Sequence, residues 1–235
     1  MIIDCEFYYK SDTGVDWAER RCREAGIDKA ILIYFHSGKC LKEAKAFAAE
    51  LRGHAIFRGG IWLDPNEGDS ALNALETAVV EWGFKGLKLM PMLQNFSCVG
   101  RVADPLMKKA QELGIVVTIH SGGRLSHPLE IGELALRFPE VPIIMDHMGY
   151  RYDVGAAIAV ARRSPNVYLM PTTVMDPRII QWAVNALGAE RVVFGSNAPA
   201  VFPETQLLVV RQAELPPEQE AKVLGTNAAR MFGLE

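Results

Sequence analysis

Short apolar runs rich in β-branched residues alternate along this chain with longer segments in which apolar residues recur at helical spacing. Each short run has the length of a buried strand, and each longer segment has the period of a helix with one apolar face. The strand-like runs cover 1–7, 29–35, 54–63, 84–90, 115–120, 141–146, 166–170 and 191–195. The pattern predicts repeated strand–helix units around a parallel sheet.

The predicted helices lie between these runs. They cover 16–25, 41–51, 70–82, 104–113, 128–138 and 176–187, and a last helix covers 218–231. Several stop at a glycine, such as Gly26, Gly83 and Gly114, as helix C-termini often do. The eight strand-like runs predict an α/β fold, a closed (β/α)8 TIM barrel, and the lack of any linker predicts a single domain over 1–235. A doubly wound open sheet is the competing architecture.

Composition and net charge limit the kinds of molecule that the protein is expected to bind. The 235 residues are 49% hydrophobic, enough for one large core. The net charge of −3 and the dispersal of Lys and Arg offer no basic surface for nucleic acid. The four cysteines, Cys5, Cys22, Cys40 and Cys98, form no C-x-x-C pair and are expected to be reduced thiols. We expect a small-molecule partner, and a homo-oligomer is compatible with this composition.

The sequence carries no sign of membrane insertion or export. No apolar run is long enough to cross a bilayer. The first residues lack the basic start and the long apolar core of a signal peptide. These features predict a cytoplasmic protein without a membrane partner.

Polar residues stand at the ends of several predicted strands. In the first run, strict alternation places Asp4, Glu6 and Tyr8 on one side, which we expect to face the barrel interior. Cys5 and Phe7 would then share the outer side. The polar residues at the ends of later strands are Lys88, His120, His147 and Asn197. Because the C-terminal strand ends of a barrel meet at one mouth, these groups are predicted to converge on a site that can bind a metal or act as general base.

Six sequence fragments occur in a recognisable order. Ile-Asp at 3–4 is followed by Gly-Phe-x-Gly-x-x-Leu at 83–89, His-Ser-Gly at 120–122, Phe-Pro-x-x-x-Ile-Ile-x-x-His-x-Gly at 138–149, Phe-Gly-Ser-Asn-Ala-Pro at 194–199 and Asn-Ala-x-x-x-Phe at 227–232. In these fragments the chain resembles the amidohydrolase superfamily, and within it the amidohydrolase-related branch that includes decarboxylases and lactonases. The resemblance covers nearly the whole chain and implies the same barrel.

The chain departs from this family at the implied metal site. Family members open with Ile-Asp-x-His-x-His, and the two histidine positions hold Glu6 and Tyr8 here. The strand-eight aspartate of the family is replaced by Asn197, whereas His120 and His147 are kept. An amide takes up no proton near neutral pH, and a neutral phenol is a weak metal ligand. The standard zinc site of the family is therefore not expected.

Two interpretations of the remaining polar groups stay open. Glu6, His120 and His147 would still form a two-histidine, one-carboxylate set for a weakly bound Zn, Mn or Fe ion. The alternative is a site with no metal cofactor, in which Glu6 pairs with Lys88, because a buried charge needs a partner.

The resemblance implies an amidohydrolase-like hydrolase of a small carboxylate-bearing molecule. It would cleave a lactone, ester or amide, or a carbon–carbon bond, and a metal-independent, lactonase-like reaction is one form of this expectation. His147 is the expected general base, with His120 and Glu6 holding water or the metal. The residues expected to bind substrate are Tyr8, Lys88, Arg124 and Asn197. Arg151 could clamp a substrate carboxylate together with Arg124, and His36 and His127 are weaker candidates. The alternative is a non-catalytic descendant that binds a metabolite in its degenerate metal site.

Overall fold

The computed structural model describes residues 1–35, 41–150 and 152–234. A sheet of seven parallel strands forms its centre, and the strands follow one another in chain order. They are β1 (Ile3–Tyr8), β2 (Lys29–Phe35), β3 (Phe57–Trp62), β4 (Gly86–Leu89), β5 (Val116–Ile119), β6 (Ile143–Asp146) and β7 (Val167–Met170). Each of them falls on a predicted run, and most are shorter than the run because the ends of the apolar segments continue into loops.

The eighth predicted run, 191–195, closes the ring without forming a regular strand. On one side, the Val193 N–H donates to the Leu169 carbonyl of β7 at 3.0 Å. On the other side, the N–H groups of Cys5 and Tyr8 in β1 donate to the carbonyls of Phe194 and Ala198, at 3.0 and 2.7 Å. The chain therefore forms the predicted (β/α)8 TIM barrel, with an eighth segment that pairs only through isolated bridges.

Helices follow the strands and cover the outside of the barrel. They are α1 (Gly14–Ala25), α2 (Leu41–Leu51), α3 (Asp69–Val80), α4 (Pro91–Gln94), α5 (Asp104–Leu113), α6 (Pro128–Arg137), α7 (Val154–Arg163), α8 (Pro177–Leu187), α9 (Pro203–Arg211), α10 (Pro217–Ala221) and α11 (Asn227–Phe232). The predicted helix 218–231 is interrupted by a π-helical turn at Lys222–Thr226. No helix in the described part of the chain is both long and apolar enough to span a bilayer.

Two apolar layers are separated by the strands. The larger one fills the space between strands and helices, and the smaller one fills the barrel interior around Ile31, Ile144 and Val193. Phe232 of α11 belongs to the interior layer, and Lys29 at the start of β2 donates to the Leu234 carbonyl. The C-terminal segment therefore covers the N-terminal end of the barrel, and the opposite end remains for a site.

The alternation predicted for β1 is wrong for Cys5 but not for Glu6 and Tyr8, because the strand contains a bulge. Its pairing with β2 shifts between Asp4 and Phe7, which inserts one extra residue into β1. Cys5 therefore packs in the barrel interior while Phe7 packs in the outer layer, although strict alternation placed both on one side. The bulge re-aims Glu6 toward the interior, where it meets the other polar groups.

Candidate active site

Five polar side chains converge inside the barrel at the C-terminal ends of its strands. They come from β1, β4, β6 and the residues that follow β5 and β6, and they are Glu6, Lys88, His120, Asp146 and His147. All five are buried, with between 0% and 5% of their surface exposed. A barrel mouth is where enzymes of this architecture place their chemistry.

Lys88 joins the two carboxylates of this cluster. Its ammonium group donates to Glu6 Oε1 at 2.5 Å and also to Asp146 Oδ2. The Tyr8 hydroxyl donates to the same Glu6 oxygen at 2.6 Å. The pairing of Glu6 with Lys88, one of the two interpretations of the sequence, is thus present in the structure. Tyr8 and Lys88, predicted to bind substrate, both contact Glu6 in this cluster.

Burial and neighbouring charges shift the pKa values of these groups in different directions. Burial raises the pKa of Glu6, and the charge of Lys88 only partly opposes this. For Asp146 burial acts in the same sense, but His147 and His120 in their protonated forms, together with Lys88, outweigh it and hold the pKa below its usual range. Burial and the nearby Glu6 raise the pKa of Tyr8 well above its usual range. At neutral pH, Asp146 is therefore a carboxylate, Tyr8 is a phenol, and Glu6 is the carboxyl group that more readily holds a proton.

His120, His147 and Asp146 form a compact set of candidate metal ligands. One ligand atom from each of them lies within 4.8 Å of the others. Asp146 Oδ1 is 3.8 Å from His120 Nδ1 and 3.7 Å from His147 Nε2. The set differs from the predicted one, because Asp146 rather than Glu6 accompanies the two histidines.

His120 has the environment of a neutral, unengaged imidazole. Neither of its ring nitrogens has a hydrogen-bond partner among the described residues, although both are buried. Burial, reinforced by the charges of His147 and Lys88, lowers its pKa to about 4, against the opposing effect of Asp146. Buried polar atoms without a partner are rare in folded proteins and call for an explanation such as an ion. Glu6 Oε2 is a second buried atom of this kind.

The orientation of His147 is fixed by the residues that follow β7. His147 Nδ1 lies 3.1 Å from the Thr172 carbonyl, and the His147 backbone N–H donates to Thr172 Oγ1 at 3.0 Å. Nδ1 also lies 2.8 Å from Thr172 Oγ1, and when Nδ1 carries the proton toward these oxygens, Nε2 keeps a free lone pair. The backbone of His147 is in the left-handed region at φ 55°, a costly conformation that occurs preferentially at functional sites.

The cluster fits a divalent metal ion. Two imidazoles with free nitrogens and one ionised carboxylate are ligands that Zn, Mn and Fe share. The Thr172 carbonyl on His147 Nδ1 is the kind of outer partner that orients a metal-binding histidine. The buried, unpartnered nitrogens of His120 supply the donors that such an ion requires.

Aromatic rings surround the mouth above this cluster. The Phe35 and Trp62 rings stack with centroids 4.6 Å apart, and the Tyr8 ring lies 5.5 Å from Phe35. On the other side, the Tyr150 ring stacks on His147 at 4.7 Å. A cavity of about 520 Å³ opens beside Tyr150 and is lined by Thr173 and Met175 among others. The site therefore has flat apolar walls.

The remaining candidates lie farther out or outside the described residues. Arg124 is exposed in the loop after β5 and is not part of the buried cluster. Asn197 is partly buried, and its backbone N–H donates to the Glu6 carbonyl at 2.9 Å. Arg151 and His36 fall outside the described residues, as does Cys40.

Sequence reasoning missed Asp146 and Thr172. Asp146 ends the sixth apolar run directly before His147, and a carboxylate at a strand end was the signal that could have identified it. Thr172 acts on His147 through its carbonyl and hydroxyl groups, and residue type alone does not predict such a contact.

Comparisons with solved structures support the architecture. The structure is similar to 5-carboxyvanillate decarboxylase from Sphingomonas paucimobilis, with a TM-score of 0.78, 16% identity and coverage of 99% and 98% of the two chains. It is similar to a dihydroxybenzoic acid decarboxylase from Polaromonas sp. JS666, solved with bound manganese and the inhibitor 2-nitroresorcinol, with a TM-score of 0.75, 17% identity and coverage of 99% and 97%. It is also similar to 4-oxalomesaconate hydratase from Rhodopseudomonas palustris, with a TM-score of 0.73, 18% identity and coverage of 99% and 96%.

The sequence itself matches a family model. No curated protein matches the chain significantly. The model described as amidohydrolase, Amidohydro_2, matches residues 35–234, which include β3 to β7 and the histidines of the site. The chain therefore belongs to this amidohydrolase family.

Proposed function

We propose that this protein is a divalent-metal-dependent enzyme that removes the carboxylate group of a small planar carboxylic acid. The metal ligands are His120, Asp146 and His147. The observation that carries the proposal is the buried, neutral His120 imidazole, whose nitrogens have no hydrogen-bond partner among the described residues and lie beside Asp146 and His147.

The net charge of the buried cluster favours the binding of a divalent cation, and the bound cation would in turn favour an anionic substrate. Two buried carboxyl groups, Glu6 and Asp146, face one ammonium group, that of Lys88. With both carboxyl groups ionised the cluster is negative, and with one protonated it is neutral, so neither state attracts a carboxylate strongly. A divalent ion would make the cluster positive in either state and would stabilise the negative charge that develops on substrate oxygens.

Glu6 is the residue proposed to supply a proton to the substrate, and Lys88 and Tyr8 hold its carboxyl group in place. Lys88 and Tyr8 both donate to Glu6 Oε1, so a proton on Glu6 resides on Oε2, the oxygen without a partner among the described residues. In loss of CO2, the bond to the carboxylate carbon breaks, its electron pair stays on the substrate carbon, and that carbon takes up a proton. Glu6 Oε2 is the proposed proton donor, because burial raises the pKa of Glu6.

The names of similar structures agree with this substrate class. Several are decarboxylases, of 5-carboxyvanillate and of 2,6-dihydroxybenzoate, and these substrates are planar aromatic acids. The aromatic walls formed by Phe35, Trp62 and Tyr150 suit a flat ring.

Hydrolysis is the second candidate reaction. It is favoured by His147 Nε2, whose free lone pair can accept a proton from water. A lactone, ester or amide of a small carboxylic acid would then be the substrate, with or without a metal. A non-catalytic metabolite-binding protein would keep the same cluster but turn over none of these compounds.

The experiment is a turnover assay on the manganese-loaded protein. The substrates are 2,6-dihydroxybenzoate, 5-carboxyvanillate and a set of lactones and esters, with CO2 release and acid production as the two readouts. We expect CO2 release that is lost in Asp146→Asn and kept in Asp69→Asn, an exposed control on α3. Acid production without CO2 release would replace the proposed reaction by hydrolysis, and neither product would favour the binding protein.

A further inference from the structure

The indole N–H of Trp62 is a buried donor that has no acceptor in the part of the chain that the structure describes. Trp62 ends β3, and its Nε1 has no hydrogen-bond partner among the described residues. Leaving a buried donor unpaired is costly, and buried indole N–H groups usually find an acceptor. Because an indole nitrogen donates and never accepts, the missing partner is an acceptor such as a ligand oxygen.

The backbone register places this donor in the wall of the candidate site. Trp62 pairs with Phe35 of β2 on one side and with Lys88 of β4 on the other. Register partners in neighbouring parallel strands point to the same face, so the Trp62 side chain lies beside that of Lys88. The ring also packs against the apolar layer of the barrel interior. The unpaired N–H therefore belongs to the same lumen as the metal-ligand cluster.

The rings around Trp62 form one side of a slot. Phe35 stacks on Trp62 with an angle of 21° between the ring planes, and the Tyr8 ring follows Phe35 at 5.5 Å. Tyr8 in turn donates to Glu6, which connects this wall to the proposed proton donor. A flat wall that carries one unpaired N–H donor matches a planar molecule with an anionic oxygen.

We infer that Trp62 is a substrate-binding residue whose indole N–H donates to the carboxylate of a planar aromatic acid. Phe35 and Tyr8 form the wall against which the ring of that acid lies. The inference rests on the proposed function for the identity of the anion. Trp62 would thus contribute to substrate specificity from β3. In the order of the sheet, it lies on one side of Lys88 and the metal ligands lie on the other.

The test uses Trp62→Phe, which keeps an aromatic ring beside Phe35 and removes the donor together with part of the ring surface, so a compound without a carboxylate serves as the reference. Binding of benzoate, 2,6-dihydroxybenzoate and resorcinol to manganese-loaded protein is measured by calorimetry. We expect the Kd of the two carboxylates to rise roughly 10- to 100-fold, the size of one hydrogen bond to a charged group, while that of resorcinol changes less than about threefold. The control Trp182→Phe, on the exposed side of α8, should bind all three compounds as the wild type does.

A second measurement needs no substitution at the site. In wild-type protein labelled with ¹⁵N-tryptophan, one indole N–H resonance should move downfield and exchange more slowly with water when benzoate is added. Equal weakening of benzoate and resorcinol in Trp62→Phe, an unmoved set of indole resonances, or no binding of either carboxylate would overturn the inference. Carboxylate binding that depends on Trp62 without CO2 release would support the inference and refute the proposed reaction.

Discussion

Lys88 Nζ lies 2.5 Å from Glu6 Oε1, and neither side chain exposes more than 1% of its surface. The same ammonium group donates to Asp146, so one cation holds carboxyl groups from β1 and β6 together inside the barrel. Forming a buried ion pair adds little net stability, because removing both charges from water is costly. Removing one partner is strongly destabilising, because the remaining charge stays buried without a counter-ion.

Replacing Lys88 by methionine should therefore destabilise the protein. We expect the free energy of unfolding in urea at pH 7 to fall by about 3–5 kcal/mol, the range measured when one partner of a buried pair is removed. Lys109→Met is the matched control, because Lys109 pairs with Glu76 and Glu112 near the surface at 3.7 and 3.4 Å. That control should lose less than about 1 kcal/mol. Equal losses in the two variants would show that Lys88 is not a key counter-ion.

His120 should make the stability of the metal-free protein depend on pH. Its pKa is about 4 in the folded protein, below the usual value of 6.5. The unfolded chain therefore takes up this proton first, so stability falls as the pH drops from about 6.5 to about 4 and is unaffected by this group above that range. The full effect is up to about 3 kcal/mol.

The variant His120→Gln should flatten this part of the pH profile. Urea unfolding of both proteins in the presence of a chelator, at several pH values between 4 and 7, measures the difference. Parallel profiles for the two proteins would mean that His120 already has an ordinary pKa, and that it is not the buried neutral ligand described above.

Thr172 is predicted to increase the affinity for the metal ion by orienting His147, one of the proposed ligands. Thr172→Val preserves the side-chain shape and the carbonyl but removes the hydroxyl that accepts from the His147 N–H at 3.0 Å. Loss of such an outer partner typically lowers metal affinity about 10- to 100-fold, and we expect a loss of this size for Mn²⁺ measured by calorimetry. The control Thr77→Val, on α3 and away from the site, should bind as the wild type does. Unchanged affinity in Thr172→Val would leave His147 without the proposed orienting contact.

The alternation of strands and helices sufficed to predict the barrel. Each buried strand is a short apolar run, and each helix has apolar residues at helical spacing. The same reasoning failed in β1, since the bulge between Asp4 and Phe7 arises from pairing with β2 and leaves no local mark in the sequence. The eighth run at 191–195 was placed correctly, but it pairs too irregularly to count as a strand.

Part of the candidate site could also be predicted, because the ends of the apolar runs mark the ends of strands. Histidines at strand ends identified His120 and His147, which do lie together, with ring centroids 4.7 Å apart. Asp146 was not predicted, because the family resemblance implies ligands at other positions of the chain. The stacking of Phe35 on Trp62 depends on the register between β2 and β3, which the sequence does not specify.

The central claim is that His120, Asp146 and His147 bind one divalent metal ion, and titration of purified, chelator-treated protein with Mn²⁺ tests it most directly. We predict one Mn²⁺ per chain in the wild type. Affinity should be at least about 100-fold lower in Asp146→Asn, which removes a ligand charge, whereas outer partners alone already contribute about 10- to 100-fold. The exposed control Asp69→Asn should bind as the wild type does. A folded wild-type protein that binds no Mn²⁺, or Asp146→Asn binding as tightly as the wild type, would contradict the claim.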